Sequence, residues 1–208
     1  MMKQYLLLLC TLWISADVVA DAKQPDAMYC LVCHGSNAHG SEVIGGPNLS
    51  ILPEWYIHKQ LKGFQQHWRG HIKTDSYGQE MLAVAQWMSE DDIRQAIHFI
   101  KDLPQKSAIS GKVTGEIQRG KVLYQTCAAC HGSNGEGNKD LQAPPLAGQN
   151  DWYLAKQLQA FRQGERGTDL EDTFGMLMQQ SAATVLTSEQ DILDVVYYIN
   201  TLTTQQKP

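Results

Sequence analysis

The chain has 208 residues, of which 43% are hydrophobic and 8% aromatic, and its formal net charge is −5. This length suits one large domain or two small ones, and the hydrophobic content is sufficient for packed cores. The sequence contains no basic run and is mildly acidic, which argues against nucleic acid as a partner.

The N-terminus has the composition of a secretory signal. A basic residue precedes the apolar run YLLLLCTLWI, which begins at Tyr5, and small residues follow it. This pattern predicts a signal peptide over residues 1–20, cleaved after Ala20 or else after Ala22, and hence an exported protein. An uncleaved membrane anchor is disfavoured because the run is shorter than the roughly 20 apolar residues that span a bilayer. A lipid on Cys10 is disfavoured because the preceding residue is bulky.

The remaining four cysteines lie in two copies of one motif. CLVCHGSN begins at Cys30 and CAACHGSN begins at Cys127, so the copies are 97 residues apart (127 minus 30). The same offset aligns Pro47 with Pro144, Trp55-Tyr56 with Trp152-Tyr153, Arg69 with Arg166 and Met81 with Met178. The repeat predicts a duplicated domain. We expect an N-terminal domain at 21–103, a Gly- and Ser-containing linker at 104–115 and a C-terminal domain at 116–208.

The secondary structure is predicted to be helix and loop, which gives an all-α fold of two tandem small helical bundles. PEWYIHKQLKGFQQH and NDWYLAKQLQAFRQG show apolar residues at helical spacing. SEDDIRQAIHFIKDL and SEQDILDVVYYINTL open with a capping serine and acids, and GEIQRGKVLYQTCAAC forms a helix that runs into the second motif. No convincing alternating strand is present, and the matched Lys-Gln pairs of the first two segments are expected on solvated faces.

The motif C-x-x-C-H has several chemical interpretations. A redox dithiol would require a βαβ setting, and a structural zinc site would require a fourth ligand that the tight cluster does not supply. Disulfides are an alternative in an oxidising compartment. Covalent attachment of haem explains the whole cluster, because two thiols add to the haem vinyl groups and the histidine binds iron. The residues that would hold two haems are Cys30, Cys33 and His34, and Cys127, Cys130 and His131.

A second axial ligand has to come from elsewhere in each domain. The repeat offset pairs Met81 with Met178, whereas the histidines outside the motifs have no histidine counterpart in the other half. Methionine sulfur is a soft, neutral iron ligand that raises the reduction potential. We expect both methionines to be ligands that lie in a Gly-containing loop before the last helix. Core filling is the alternative for either residue, and Met176 is the rival of Met178.

Two further pairs of equivalent residues are candidates for supporting roles. Pro47 and Pro144 each follow the motif histidine by 13 residues (47 minus 34, 144 minus 131), so each carbonyl is placed to bond the other ring nitrogen of that histidine. The alternative is an ordinary turn proline. The Trp-Tyr pairs are expected either at haem edges or in a core or domain interface.

With these motifs in hand, the sequence resembles the diheme class I cytochromes c of the cytochrome c4 type. The resemblance covers nearly the whole mature chain and includes PNL, PPLAGQ, the WYxxKQLxxF helices and the SExDI helices. It implies two cytochrome c folds about a pseudo-twofold axis, two covalently bound haem c groups with His/Met ligation, and proline carbonyls bonded to the axial histidines. One departure is the segment DAKQPDAMYC, where Pro25 shortens the helix before the first motif, so the packing of that helix on the last helix of domain one is not expected to follow the family.

The resemblance also implies a function. It indicates a monomeric periplasmic electron carrier, not an enzyme, that receives electrons from a quinol-oxidising complex or a dehydrogenase and passes them to a terminal oxidase, with loose association to the membrane surface. One alternative is an electron-accepting subunit of a dehydrogenase, such as a sulfide-oxidising flavoprotein. A diheme peroxidase is a further alternative, and it would need an iron with an open coordination position.

Overall fold

The computed structural model of the chain describes residues 27–108 and 111–202. The signal peptide with its two cleavage points, Cys10, and residues 109–110 of the linker lie outside the described residues. Within the described ranges, no helix is both long enough and apolar enough to cross a membrane.

The first domain is a small bundle of helices with one short hairpin. Its elements are a 3₁₀ helix (Ala27–Tyr29), α1 (Cys30–His34), a second 3₁₀ helix (Ser36–Ala38), β1 (His39–Ser41), β2 (Gly46–Asn48), α2 (Glu54–Gln65), α3 (Ser76–Ala85) and α4 (Glu90–Asp102). Its buried core joins α2 to the apolar face of α4, which carries Ile93, Ile97 and Ile100.

The second domain repeats this plan with a longer first helix. Its elements are α5 (Ile117–His131), α6 (Asp151–Arg162), α7 (Thr173–Val185) and α8 (Glu189–Ile199). Helix α5 packs along α8, and the predicted apolar face of α8, with Ile192, Val196 and Ile199, is buried. The two-domain, mainly helical architecture is therefore confirmed.

The last helix of each domain begins where the capping serine predicts. Ser89 accepts a hydrogen bond from the backbone N–H of Asp92, whose carboxylate in turn accepts one from the Ser89 backbone. Ser188 and Asp191 form the same reciprocal pair. Each box satisfies backbone donors at a helix start, which have no partner within the helix.

The hairpin in the first domain was not predicted. Strands β1 and β2 are antiparallel, with His39 opposite Asn48 and Ser41 opposite Gly46. At the equivalent place in the second domain, Asn138 and Ala143 form an isolated bridge. The strands were missed because three-residue segments containing Gly and Pro carry no alternating hydrophobic pattern.

The expectation that the paired methionines lie in loops is wrong. Met81 lies within α3 and Met178 within α7. Both helices start from an aspartate, Asp75 or Asp172, that accepts a hydrogen bond from the backbone of a glycine three residues on, at 3.0 Å in each case. The glycine that suggested a loop is required because a Cβ at Gly78 would collide with the capping carboxylate of Asp75.

The matched Lys-Gln pairs lie between the domains, so the expectation of solvated faces is wrong. The ammonium group of Lys59 lies 5.1 Å from the ring centroid of Phe174, and that of Lys156 lies 3.8 Å from the ring centroid of Tyr77. Lys59 and Lys156 are equivalent in the two repeats, and so are Tyr77 and Phe174. The two contacts are therefore related as a pseudo-twofold arrangement requires. These side chains of α2 and α6 therefore contact the other domain.

The described part of the linker has no helix or strand but is held in place. The Oδ2 atom of Asp151 accepts the backbone N–H groups of Gly111, Lys112 and Val113 at 3.0, 2.8 and 3.0 Å. Asp151 is only 1% exposed. The linker is thus fixed to the start of α6.

The described start of the first domain packs differently from that of the second, and Pro25 itself lies outside the described residues. In the first domain a three-residue 3₁₀ helix contacts α4, where the second domain has the 15-residue α5 against α8. In the second domain, the Tyr124 hydroxyl donates to Gly132 O at 2.7 Å, and the position equivalent to Tyr124 is Ala27. Among the described residues, the first motif therefore has no counterpart of the Tyr124 hydrogen bond.

Candidate functional site

The motif histidine of each domain is buried and bonded to a proline carbonyl. His34 Nδ1 donates to Pro47 O at 2.9 Å, and His131 Nδ1 donates to Pro144 O at 2.8 Å. Burial lowers the pKa of each imidazole despite this hydrogen bond, so the neutral form is favoured. A neutral ring that donates through Nδ1 presents the lone pair of Nε2, which is the form that binds a metal.

The two thiols of each motif differ in their surroundings. Cys33 and Cys130 are exposed, and Cys30 and Cys127 are half-buried. Burial raises the pKa of Cys127 to about 11, which indicates an apolar environment around its sulfur. An uncharged thioether suits such an environment better than a thiolate does.

The second motif opens onto an apolar cavity. Its lining includes Cys127, Cys130, His131, Pro144 and Met178. Met178 lines this cavity from α7 and the motif residues line it from α5, whereas Met176 is not among the lining residues. A histidine, a methionine and two cysteines that line one apolar cavity fit a haem held covalently by the thiols.

The first domain also lines part of this cavity. Leu52, Tyr56, Lys59 and Gln60 contribute to its wall beside Arg166. Arg166 donates to Tyr56 Oη at 3.2 Å and to Gln60 Oε1 at 2.9 Å. The Trp-Tyr pair of α2 therefore belongs to the domain interface through Tyr56, which is one of the two environments expected for it.

In the first domain the motif histidine is also buried, and the equivalent methionine packs on the core. His34 is 8% exposed, and Met81 packs against the buried core of the first domain. Two of the remaining histidines are engaged elsewhere, because His39 bonds Pro104 O at 2.8 Å and His58 bonds Glu90 at 2.6 Å.

Two Cys-x-x-Cys-His units, each in a helical domain with a buried histidine and a methionine on a separate helix, define a protein with two covalently attached haems. A family model described as Cytochrome c matches residues 19–104 and 117–203. The cytochrome c4 of Azotobacter vinelandii is 31% identical over 97% of this chain and 100% of its own length. The chain belongs to the cytochrome c family and is a diheme electron-transfer protein of the cytochrome c4 type.

Two other relatives extend this comparison. A protein named thiosulfate dehydrogenase electron acceptor from Stutzerimonas stutzeri (strain A1501) is 31% identical over 73% of this chain and 71% of its own length. The structure of the Acidithiobacillus ferrooxidans cytochrome c4 superimposes with a TM-score of 0.65 at 27% identity, covering 85% of this chain and 100% of that chain. The family resemblance inferred from the motifs is thus confirmed, and so is the pair of covalently bound haem c groups.

The sequence did not reveal the residues that join the two domains near the first motif. Asn48 donates its backbone N–H to Gln149 Oε1 at 3.0 Å and to Asn150 Oδ1 at 2.8 Å. The repeat gives no signal for these residues, because the equivalents of Gln149 and Asn150 are Leu52 and Pro53. Aligning the two repeats pairs only equivalent residues, so it cannot reveal a contact between residues at non-equivalent positions.

Proposed function

We propose that the protein relays electrons between redox partners through two His/Met-ligated haems, without catalysing a reaction on a substrate. The observation that carries this proposal is the cavity of the second domain. It contains Cys127, Cys130, His131 and Met178, and its wall is completed by side chains of the first domain. A redox centre placed there lies at the domain interface, which is suited to exchange of electrons with the other domain.

Each side chain of the site would have a distinct task. Haem supplies the one-electron chemistry when it is bound, and the protein holds and tunes it. His34 and His131 would be the axial ligands, with rings fixed by Pro47 and Pro144. Met81 and Met178 would complete the coordination and favour the reduced state.

The polar part of the second cavity would neutralise carboxylates of a bound group. Arg166, Tyr56 and Gln60 line it, and Arg166 donates a hydrogen bond to each of the other two. A planar guanidinium is well suited to carboxylate recognition, because it presents several donors in a fixed geometry. When haem is bound in the second domain, Arg166 would hold its carboxylate groups.

Location and partners follow from the same proposal. The signal-like N-terminus supports export to the periplasm, where the donor would be a quinol-oxidising complex or a dehydrogenase and the acceptor a terminal oxidase. A second candidate role is that of an electron acceptor for a sulfur-compound dehydrogenase, and the relative named thiosulfate dehydrogenase electron acceptor favours it.

A spectroelectrochemical titration of the holoprotein combined with carbon monoxide binding tests the relay. We expect two redox-active haems per chain and no rapid carbon monoxide binding to the reduced protein at neutral pH. Stoichiometric, rapid binding would instead indicate an open iron and favour an enzyme such as a peroxidase. To separate the candidate roles, reduction by a thiosulfate dehydrogenase and oxidation by a terminal oxidase are measured with the same preparation.

A further inference from the structure

The peptide group between Pro47 and Asn48 is hydrogen-bonded on both of its sides. Its carbonyl oxygen accepts the Nδ1–H of His34 at 2.9 Å. Its N–H donates to Gln149 Oε1 at 3.0 Å and to Asn150 Oδ1 at 2.8 Å, and both of these side chains belong to the second domain. One peptide group therefore lies between the motif histidine of the first domain and two side chains of the second.

The two acceptors are buried and held in position. Asn48 is 0% exposed, and Gln149 and Asn150 are 3% and 9% exposed. Gln149 Nε2 returns a hydrogen bond to Asn48 O at 2.9 Å, and Asn150 Nδ2 donates to His39 O at 3.4 Å. A Cβ at Gly40 would collide with Asn150 Oδ1, so this glycine makes room for the amide.

The second domain has no equivalent arrangement. Pro145 stands at the position of Asn48, and a proline has no backbone N–H to donate. The carbonyl of Pro144 still accepts from His131 at 2.8 Å. Each histidine therefore donates to a proline carbonyl, but only in the first domain is the N–H of the same peptide group accepted by side chains of the other domain.

We propose that Gln149 and Asn150 are positioning residues that tune the first iron centre through the Pro47–Asn48 peptide. Hydrogen bonds in a chain polarise one another, by about 10–30% per bond. When the peptide N–H is accepted by two amide oxygens, the carbonyl of the same peptide becomes a better acceptor for His34. A stronger bond at Nδ1 makes the imidazole a more basic ligand, which favours the oxidised state of the iron.

This inference rests on the proposed role of His34 as an axial ligand, and its consequence is specific to one domain. The second domain lowers the reduction potential of the first centre, while the second centre receives no such contribution from the first domain. The potential of the first centre thereby depends on how the two domains are docked.

The test uses the holoprotein with Asn150→Ala, Gln149→Ala and the double variant. Each single variant leaves one acceptor for the Asn48 N–H, so we expect a small rise in the potential of the first centre and a larger rise in the double variant. In ¹⁵N-labelled reduced protein, the Nδ1–H proton of His34 should move upfield and exchange faster. His131 should be unchanged in Asn150→Ala, which is the domain-specific variant because Gln149 also lines the cavity of the second domain. Thr74→Ala is the matched control, because it removes a 2.7 Å interdomain hydrogen bond to Glu165 remote from this peptide.

The outcomes separate the inference from the assignment beneath it. A His34 ring that shows no haem ring-current shift in the wild-type protein would disprove the ligand assignment itself. A ring-current-shifted His34 whose Nδ1–H signal and potential are unchanged in the single variants would overturn the tuning role alone. Equal shifts at both centres in Asn150→Ala, or the same shift in Thr74→Ala, would also overturn it, since they would reflect a loosened interface.

Discussion

Arg69 and Arg166 occupy equivalent positions in the two repeats, and each donates hydrogen bonds to one glutamine of its own domain and one of the other domain. Arg69 donates to Gln60 Oε1 at 2.7 Å and to Gln157 Oε1 at 3.2 Å. Arg166 donates to Gln157 Oε1 at 2.6 Å and to Gln60 Oε1 at 2.9 Å. Two like charges are therefore held across the interface by shared acceptors, and burial together with the charge of Arg166 lowers the pKa of Arg69.

Replacing either arginine with lysine should weaken the interface. Arg166 bonds Tyr56, Arg69 is hydrogen-bonded to Tyr153 at the equivalent position, and an ammonium group cannot reproduce several bonds in a fixed geometry. We expect each substitution to lower the free energy of unfolding by about 1–2 kcal/mol. Denaturant unfolding of the holoproteins measures both values, and a loss in one variant only would contradict the equivalence of the two arginines.

Removing the charge of Arg166 should change the reduction potential of the second centre more than that of the first. Arg166 lines the cavity of the second domain, where Met178 lies. If it neutralises carboxylates there, Arg166→Gln should lower the reduction potential of the second centre. The oxidised centre carries one more positive charge than the reduced centre, so it gains more when a nearby cation is removed. Redox titration resolves the centres, and Thr74→Ala is the control for loss of an interdomain bond outside the cavity.

The parts of the structure that could be predicted from sequence are those with a local or repeated signal. Ser89 and Ser188 fix the starts of α4 and α8 because capping acts within one helical turn. The repeat offset selected Met178, and the structure places it on the cavity wall with His131.

The parts that could not be predicted depend on how the two domains face each other. A lysine on a predicted amphipathic helix is expected to face solvent, yet Lys59 Nζ lies 3.4 Å from Oδ1 of Asp172 in the other domain. Asn48 and Gln149 come together across about a hundred residues of chain and do not occupy equivalent positions, so neither spacing nor duplication points to them.

The ligand assignment in the second domain can be tested with two methionines on one helix. Met178 lines the cavity and Met176 is not among its lining residues. We expect Met178→Leu to abolish the ferric charge-transfer band of one haem and to allow one carbon monoxide per protein to bind after reduction. Met176→Leu is the matched control and should leave both properties unchanged. The reverse result would assign the ligand to Met176.

Asp151 should make the stability of the protein depend on pH. Burial would raise the pKa of this carboxyl, but the backbone N–H groups of Val113, Gly111 and Lys112 outweigh burial and hold the pKa below its usual range. A depressed folded-state pKa stabilises the folded form at pH values above the unfolded pKa of about 3.9. This contribution is lost as the pH falls from about 3.9 through the lower folded-state pKa.

Asp151→Asn is therefore expected to destabilise the protein more at neutral than at acid pH. We expect a loss of about 2–3 kcal/mol at pH 7, because charge-assisted bonds to the linker are removed. The loss should shrink below about pH 4, where the carboxyl of the unfolded chain becomes protonated, and disappear as the pH falls through the lower pKa of the folded protein. Thermal unfolding at several pH values measures it, with the exposed Asp140→Asn as control. A loss that does not change with pH would show that the charge of Asp151 is unimportant.

The two motifs should differ in local stability, because their supporting helices differ in length. Helix α1 has five residues, whereas α5 has 15 and packs along α8. A short helix gains few backbone hydrogen bonds and depends on its contacts, so we expect the amides of α1 to exchange at least about tenfold faster than those in the last turn of α5. Hydrogen exchange of the holoprotein measures both. Helices α2 and α6, with 12 residues each, provide the internal control and should exchange at similar rates. Equal protection of α1 and α5 would mean that the attached haem, and not the helix before the motif, determines the stability of the site.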